Sequence, residues 1–412
     1  MQTLNNSVPL PEGADRGQWR ERLDRQIDRW TTAPALQRWA SASPLTRWLV
    51  RRRAERLFGV MAGFVHSQVL LACVRLQLLE TVHAAPRTRQ QLAQLTGLSE
   101  AGLDRLLDSA VSIGLLEQRA GGRLGLGPLG APVVTHQGIR DMVEHNATLY
   151  QDLSDPLALL RNPGGTQMNR LWPYAQATVH PVPESGHHTH PTTGEGDVFA
   201  DYSDLMGSSQ RFVIDELLAS YPFADHRHVL DVGGGMGGWV TALAQAHPHL
   251  ALSLFDLPPV ARLAAQASTR AGLGDRLTVH GGSFIDDELP TGADLVTLVR
   301  VAHDHDDSTV RRLLHAIHRC LPMGGSLLLA EPMAGSLGEP TPTAPYYHFY
   351  LMAMGPGRLR TPEALTALMQ EAGFTHIEPV PNPMPLHARL LVGRKTRATT
   401  AAPLTRESVI LH

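Results

Sequence analysis

The residues whose types and spacing can do chemistry lie in the second half of the chain. Val229-Leu-Asp-Val-Gly-Gly-Gly-Met-Gly-Gly-Trp reads as a buried strand, a glycine-rich turn and the start of a helix. Glycines let a backbone approach a ligand closely, and a helix N-terminus offers N–H groups without intrahelical partners. Gly233, Gly235 and Gly238 carry the spacing of a dinucleotide turn. Asp256 ends the next strand, where a carboxylate can accept hydrogen bonds from both hydroxyls of a ribose. This pattern fits NAD and S-adenosylmethionine equally well.

Further on, Asp294-Leu-Val-Thr-Leu-Val-Arg-Val-Ala-His-Asp-His-Asp-Asp is a strand that empties into a polar cluster. Open parallel sheets bind ligands at that carboxyl edge. His303 therefore reads as a general base, because imidazole takes a proton near neutrality. The alternative is a loop histidine that caps the following helix. Ala330-Glu331-Pro332 ends a later strand at the same edge. There Glu331 can hold the imidazole tautomer and stabilise its charged form. His303, His305, Asp306 and Asp307 also permit a metal site, but neighbours on one short loop seldom converge on one ion, and no metal is expected.

The elements that must position these residues alternate between strand and helix after His226, the pattern of a parallel sheet. Strands are expected at 228–232, 250–255, 277–280, 295–299, 326–330, 376–380 and 389–392. Helices are expected at 239–247, 259–271, 309–320 and 362–372. Before them, Pro86 to Gly130 reads as a winged helix-turn-helix, with Ser99 capping its second helix and Gly121-Gly122 turning the wing. That second helix carries Glu100, Asp104 and Asp108 against Arg105, a net charge of −2. It would repel a duplex, so a scaffold or dimerisation role is expected and nucleic acid is not. Residues 136–175 read as helical, with Met142, Val143, Leu149, Leu153 and Leu157 buried.

Two segments stand outside this plan. Residues 15–56 hold Trp19, Trp30, Trp39 and Trp48 among eleven arginines, with Pro34 and Pro44 dividing them into short helices. They form either an arm packed on the body or a partner subunit, or an anchor at the boundary between water and anionic lipid. The stretch from His180 to Asp197, with His187, His188 and His190, reads as a mobile solvent loop in preference to a metal site.

A chain of 412 residues exceeds one ordinary core and predicts two domains. With 43% hydrophobic and 18% charged residues it falls in the soluble globular class. Its apolar runs fall short of the roughly 20 residues that cross a bilayer, and no signal peptide is visible. The cysteines, Cys73 and Cys320, suit a reducing cytoplasm. A net charge of −3 gives the whole molecule no bias toward polyanions.

Asp231, two residues before the first glycine, resembles the acidic residue in the signature of class I methyltransferases, where it lies near the cationic methionine portion of S-adenosylmethionine. The winged-helix module, Asp-Val-Gly-Gly-Gly, Phe-Asp-Leu-Pro, Arg-Val-x-His-Asp, Gly-Gly-x-Leu-Leu-Leu-x-Glu and Arg-Thr-Pro-Glu stand in this order. Together they resemble the acetylserotonin and plant caffeate-type O-methyltransferase superfamily over roughly residues 57–393. The resemblance implies a Rossmann-like domain with a seven-stranded, mostly parallel sheet, preceded by an α-helical winged-helix dimerisation domain. It implies S-adenosylmethionine as cofactor, a homodimer, His303 as base, Asp304 beside it and Glu331 as its partner. The cofactor residues it implies are Asp231, Gly233, Gly235, Asp256, Leu257, Ser283, Phe284 and Arg300.

Two departures stand out. Ser283 occupies a place where the family often has Asp, and Leu359 one where plant members often have a second glutamate. The domains expected are an arm (1–56), a dimerisation domain (57–135), a methyltransferase domain (136–395) with the loop 180–197, and a tail (396–412).

Within the superfamily, Arg47-Trp-Leu-Val-Arg-Arg-Arg, Phe64-Val-His-Ser-Gln-Val, Val301-Ala-His-Asp-His-Asp-Asp and Tyr350-Leu-Met-Ala-Met-Gly resemble the carotenoid O-methyltransferases of purple phototrophic bacteria, which act on hydroxyneurosporene and demethylspheroidene. That implies a carotenoid alcohol as acceptor, with Tyr346, Tyr350 and Met354 candidates for an apolar channel, and ordinary helix packing as the competing account of them. A phenolic polyketide or a bacteriochlorophyll intermediate as acceptor, and a winged-helix regulator, are the alternatives. The expected location is the cytoplasm, with peripheral contact to the inner photosynthetic membrane where residues 1–56 serve as the anchor and not as a packed arm.

Overall fold

The computed structural model describes residues 14–163, 165–171, 210, 213–335 and 341–396. The histidine-rich stretch 180–197 and most of the tail lie outside them. Three helices open the chain: α1 (Ala14–Thr32), α2 (Pro34–Ala42) and α3 (Arg47–Arg75). Pro34 takes the first position of α2, where its missing N–H costs nothing. After Pro44 the chain does not continue in short pieces. α3 runs 29 residues and passes straight through the boundary expected at residue 56. It is the one helix among the described residues long and apolar enough to cross a membrane, a property no short apolar run disclosed. Its last turns, with Leu71, Cys73 and Val74, are instead buried in the module that follows.

That module is the winged helix. α4 (Leu78–Ala84) leads to β1 (Arg87–Thr88), α5 (Arg89–Thr96) and α6 (Glu100–Ser112). Thr88 and Gln91 form a capping box at α5, and Ser99 accepts the Gly102 N–H at α6. β2 (Leu116–Arg119) and β3 (Arg123–Leu126) pair antiparallel across Gly121 and Gly122, both at positive φ. Leu79, Leu92, Leu103, Leu107 and Leu116 fill its core.

The helical stretch 136–175 is three described helices, α8 (Gln137–Asp152), α9 (Pro156–Arg161) and α10 (Gln167–Leu171), preceded by α7 (Gly130–Thr135). Asp155 caps α9 through the Leu157 and Ala158 N–H groups, and this restart turns the helix. Leu157 is thereby exposed, against expectation, and Leu159 takes the buried place.

The second domain carries a seven-stranded sheet in the order β6-β5-β4-β7-β8-β10-β9. The strands are β4 (His228–Val232), β5 (Ala251–Asp256), β6 (Leu277–Gly281), β7 (Leu295–Val299), β8 (Ser326–Glu331), β9 (Thr375–Val380) and β10 (Arg389–Arg394). The first five are parallel, and β10 is antiparallel to both β8 and β9. β7 and β8 are buried along their whole length, as strands covered on both faces must be.

α11 (Gly238–Ala246), α12 (Pro258–Arg270), α13 (Asp307–Cys320) and α15 (Pro362–Glu371) cover the sheet. On α13, Val310, Leu313, Leu314 and Ile317 recur at helical spacing and are fully buried. α14 (Ala344–Met354) packs instead against α8, α9 and α10, and touches the turn at Ala302–Asp304. The sheet order reverses at β4, so a crevice opens above its carboxyl end, between β5 on one side and β7 on the other.

Candidate active site

The glycine turn follows β4 directly. Gly233, Gly235 and Gly237 have φ of 71°, 56° and 80°, a region costly for residues with a Cβ. A Cβ on Gly233 would also stand 2.7 Å from Val301, whereas one on Gly235 would meet nothing within 4 Å. The turn is thus tight on its inner side and open toward the crevice. Asp256 sits beside it, buried, with Oδ2 accepting the Gly235 N–H (2.8 Å) and Oδ1 the Leu257 N–H (2.7 Å). Burial pushes its carboxyl up to about 6, with those two donors opposing.

Asp231 lies beneath the turn. Its Oδ2 would stand 2.6 Å from a Cβ on Gly234, and its Oδ1 accepts the Thr297 hydroxyl at 2.7 Å. Trp239 Nε1 donates to the same hydroxyl (3.3 Å), so a Trp–Thr–Asp relay underlies the turn. The sequence did not disclose Thr297 or Trp239. Burial raises the Asp231 carboxyl to about 7.

The far wall of this side begins at Ser283. Its N–H donates to Asp287 (2.8 Å) and its hydroxyl to Asp286 (3.3 Å), so two carboxylates gather where the chain carries a serine. Phe284 packs edge-on against His305, ring centres 5.3 Å apart, and joins the cofactor side to the catalytic turn. Arg300 directly follows β7, at φ 57°, and its N–H donates to the Ala330 carbonyl. Its charge bears on His303, Asp304, Tyr346 and His387, the last not foreseen from sequence.

His303 is 5% exposed and Glu331 1%. His303 Nδ1 donates to Glu331 Oε2 at 2.5 Å. Glu331 Oε1 accepts the N–H groups of Val301 (2.9 Å) and Ala302 (2.7 Å), which fixes the carboxylate to the turn it serves. Nε2 is the nitrogen left to take a proton, and Asp304 Oδ1 stands 3.2 Å from it. Burial opposes charge on His303, but Asp304 and Glu331 outweigh it and raise the imidazole above its ordinary range. Burial likewise raises Asp304. The set can accept a proton at Nε2 and stabilise the imidazolium from two sides.

A brace behind this turn was also invisible in the sequence. Arg360, buried, donates to the carbonyls of Ala302 (2.7 Å) and His305 (2.8 Å) and to Asp307 Oδ1 (2.8 Å). Arg358 N–H donates to the His303 carbonyl at 2.7 Å. A Cβ on Gly357 would stand 2.7 Å from that carbonyl, so only glycine admits this approach. Asp306 caps α13 through the Thr309 N–H, and Asp307 pairs with Arg358 and Arg360. These carboxylates are thus engaged by the helix start and by two arginines. Among the described residues no three metal-ligating side chains gather at one point.

The acceptor-side candidates divide. Tyr350 and Met354 are buried in a cluster with Leu149, Leu159 and Met168, where they pack α14 on α8 and α9. Tyr346 is half-buried and stacks on Tyr350. Its hydroxyl donates to Asn146 (3.0 Å), and Tyr350 meets His145 at 3.0 Å. Burial lowers His145 to about 4, so that ring is neutral at ordinary pH. His145 and Asn146, adjacent on α8, are further polar groups on this seam that no motif announced.

Comparisons with known proteins agree with this geometry. The model of an O-methyltransferase domain matches residues 166–375, and that of an O-methyltransferase dimerisation domain matches residues 58–131. The chain is 42% identical over 335 residues to demethylspheroidene O-methyltransferase of Cereibacter sphaeroides, covering 81% of this chain and 85% of that one. It is 39% identical over 330 residues to the protein of the same name from Rhodobacter capsulatus, covering 80% and 79%. Among solved structures, human N-acetylserotonin methyltransferase in complex with S-adenosylmethionine superposes with a TM-score of 0.65 at 22% identity, over 83% of this chain and 98% of that one.

Proposed function

The chain belongs to the S-adenosylmethionine-dependent O-methyltransferases, and from that premise we propose that it methylates the tertiary hydroxyl of a hydroxylated acyclic carotenoid, of the spheroidene and spirilloxanthin type, with His303 as general base. The acceptor class is supported by the two relatives that share about two residues in five with this chain. The base is supported by one observation above all: a buried imidazole held at Nδ1 by Glu331, with the Asp304 carboxylate 3.2 Å from Nε2.

The residues present fit the cofactor. The glycine turn is open at Gly235, a carboxylate stands at the end of β5, and α11 begins beside both. Asp256 and Leu257 would hold the ribose side, and Gly233 and Gly235 would give close backbone approach. Ser283 and Phe284 would face the base, with Asp231 and Arg300 toward the amino-acid portion. When bound, S-adenosylmethionine supplies an electrophilic methyl group.

A tertiary alcohol is far too weak an acid to ionise beforehand. His303 Nε2 must therefore take its proton as the oxygen attacks, while Asp304 and Glu331 share the growing positive charge. The remaining task is to keep oxygen, methyl carbon and sulfur in line, and the Arg360 brace holds the base for that. Of the acceptor-side candidates, Tyr346 is the one that packing leaves partly open, and it would face an apolar acceptor.

The chain acts as a homodimer through its dimerisation domain, in the cytoplasm at the inner photosynthetic membrane where a carotenoid acceptor dissolves. Incubation with labelled S-adenosylmethionine, hydroxylated carotenoids and aromatic phenols side by side tests the reading. Methyl ethers of the carotenoid alcohols are expected; turnover of phenols alone overturns the acceptor assignment.

A further inference from the structure

The described arm, residues 14–56, carries eleven arginines against Asp15, Glu21, Asp24, Asp28 and Glu55, a formal charge of +6. The whole chain is −3, so the remainder is −9. On α1, Trp19, Leu23, Ile27 and Trp30 stand at i, i+4, i+8 and i+11, within about 80° of one another around the helix. All four are exposed, the two tryptophans at 63% and 61%. Glu21, Asp24 and Asp28 fall about 100° or more from the centre of that stripe, and Glu21 is paired with Arg25 on the far side. Trp39 on α2 and Trp48 on α3 are exposed to the same degree, with Arg51, Arg52, Arg53 and Arg56 exposed beside the latter.

We infer that the Trp19–Leu23–Ile27–Trp30 stripe, flanked by the arm's arginines, seats on an anionic lipid surface. Indole combines an apolar ring with one N–H, which suits the boundary between acyl chains and water. Arginine stems lie along apolar surface while the guanidinium reaches phosphate. A basic segment is drawn to an acidic leaflet within a Debye length, and apolar side chains then hold it there.

A second copy of the chain is the competing occupant. The dimerisation domain begins at residue 58, beyond the arm, and offers its own apolar row, Phe58, Val60, Met61 and Phe64, for that contact. The arm is left with basic charge and tryptophan, a composition matched to lipid. A lipid-seated arm does not require the acceptor to be a carotenoid, so its failure and failure of the acceptor assignment are separate results.

The test is flotation of the full-length protein with vesicles of phosphatidylcholine, with and without phosphatidylglycerol, at low and high salt. The protein is expected to float with the acidic vesicles and to be released by salt. Trp19→Ala with Trp30→Ala, and Arg51, Arg52, Arg53 and Arg56 all changed to Gln, are each expected to weaken partitioning at least about tenfold. Both variants should keep S-adenosylmethionine affinity and dimeric elution. An intact protein that stays with the soluble fraction overturns the inference. So does flotation unchanged in the tryptophan variant, or conversion of that variant to monomer, which would make the arm a subunit contact.

Discussion

Glu331 bonds to His303 at both its ring and its turn: one carboxylate oxygen lies 2.5 Å from Nδ1, and the other takes the backbone N–H groups of Val301 and Ala302. A single side chain thus sets the tautomer of the imidazole and the position of its backbone. Replacing Glu331 by Gln keeps the shape and removes the charge. The expected result is a loss of about a hundredfold or more in kcat, with S-adenosylmethionine affinity nearly unchanged. His303→Ala should lose at least as much. Rapid-quench turnover beside calorimetry separates the two quantities.

The pH profile follows from the same pair. A general base works when neutral, so kcat rises with pH through the pKa of His303. Asp304 and Glu331 raise that pKa above its ordinary 6.5 despite burial, so the acid limb should have its midpoint above 6.5. Glu331→Gln removes one raising charge and leaves burial in place, so its midpoint should move down. A midpoint that stays where it was would separate the limb from His303.

Arg360 gives a third test. Its guanidinium holds Ala302, His305 and Asp307, and charge-assisted hydrogen bonds of this kind contribute about 1.5–3 kcal/mol each when a partner is removed. Arg360→Ala should loosen the turn and lower kcat by about a hundredfold, with S-adenosylmethionine affinity nearly unchanged. Arg360→Lys should recover part of the rate. Loss of stability with kcat retained would reduce Arg360 to a packing role.

Cofactor affinity should itself depend on pH. Burial holds the Asp256 carboxyl up at about 6, and only the carboxylate can accept from both ribose hydroxyls. Affinity is therefore expected to fall as pH drops through that value and to level off above it. Asp256→Asn should weaken binding about ten- to a hundredfold and flatten the dependence. Titration calorimetry with the demethylated product reads this directly.

Gly233→Ala probes the turn. It places a Cβ at φ 71° and 2.7 Å from Val301, a strain of about 1–3 kcal/mol, and should abolish S-adenosylmethionine binding. Denaturant unfolding measures the first effect and calorimetry the second.

Strands such as Leu295–Val299 were legible in the sequence because a strand covered on both faces is an unbroken apolar run that ends where polar residues reach the crevice. The same rule exposed Asp231, Asp256, His303 and Glu331, each at or beside a strand end. Local capping by Ser99 also followed from spacing, whereas the caps at Thr88 and Asp306 emerged only in the structure. What bound these residues to one another did not. Trp239 reaches Thr297 across 58 positions and Arg360 reaches Ala302 across another 58, and periodicity carries no information at that range.

Sequence alone determined the sheet and its glycine turn and singled out the acid–base candidates, because each is read from neighbours along the chain. Tertiary structure alone decided that Arg360 braces the turn that carries His303, that Thr297 underpins Asp231, and that Tyr350 and Met354 are buried in a packed cluster. It also decided that α3 runs unbroken past residue 56. Those outcomes rest on which distant surfaces meet and exclude water, and the chain's order records them only after it has folded.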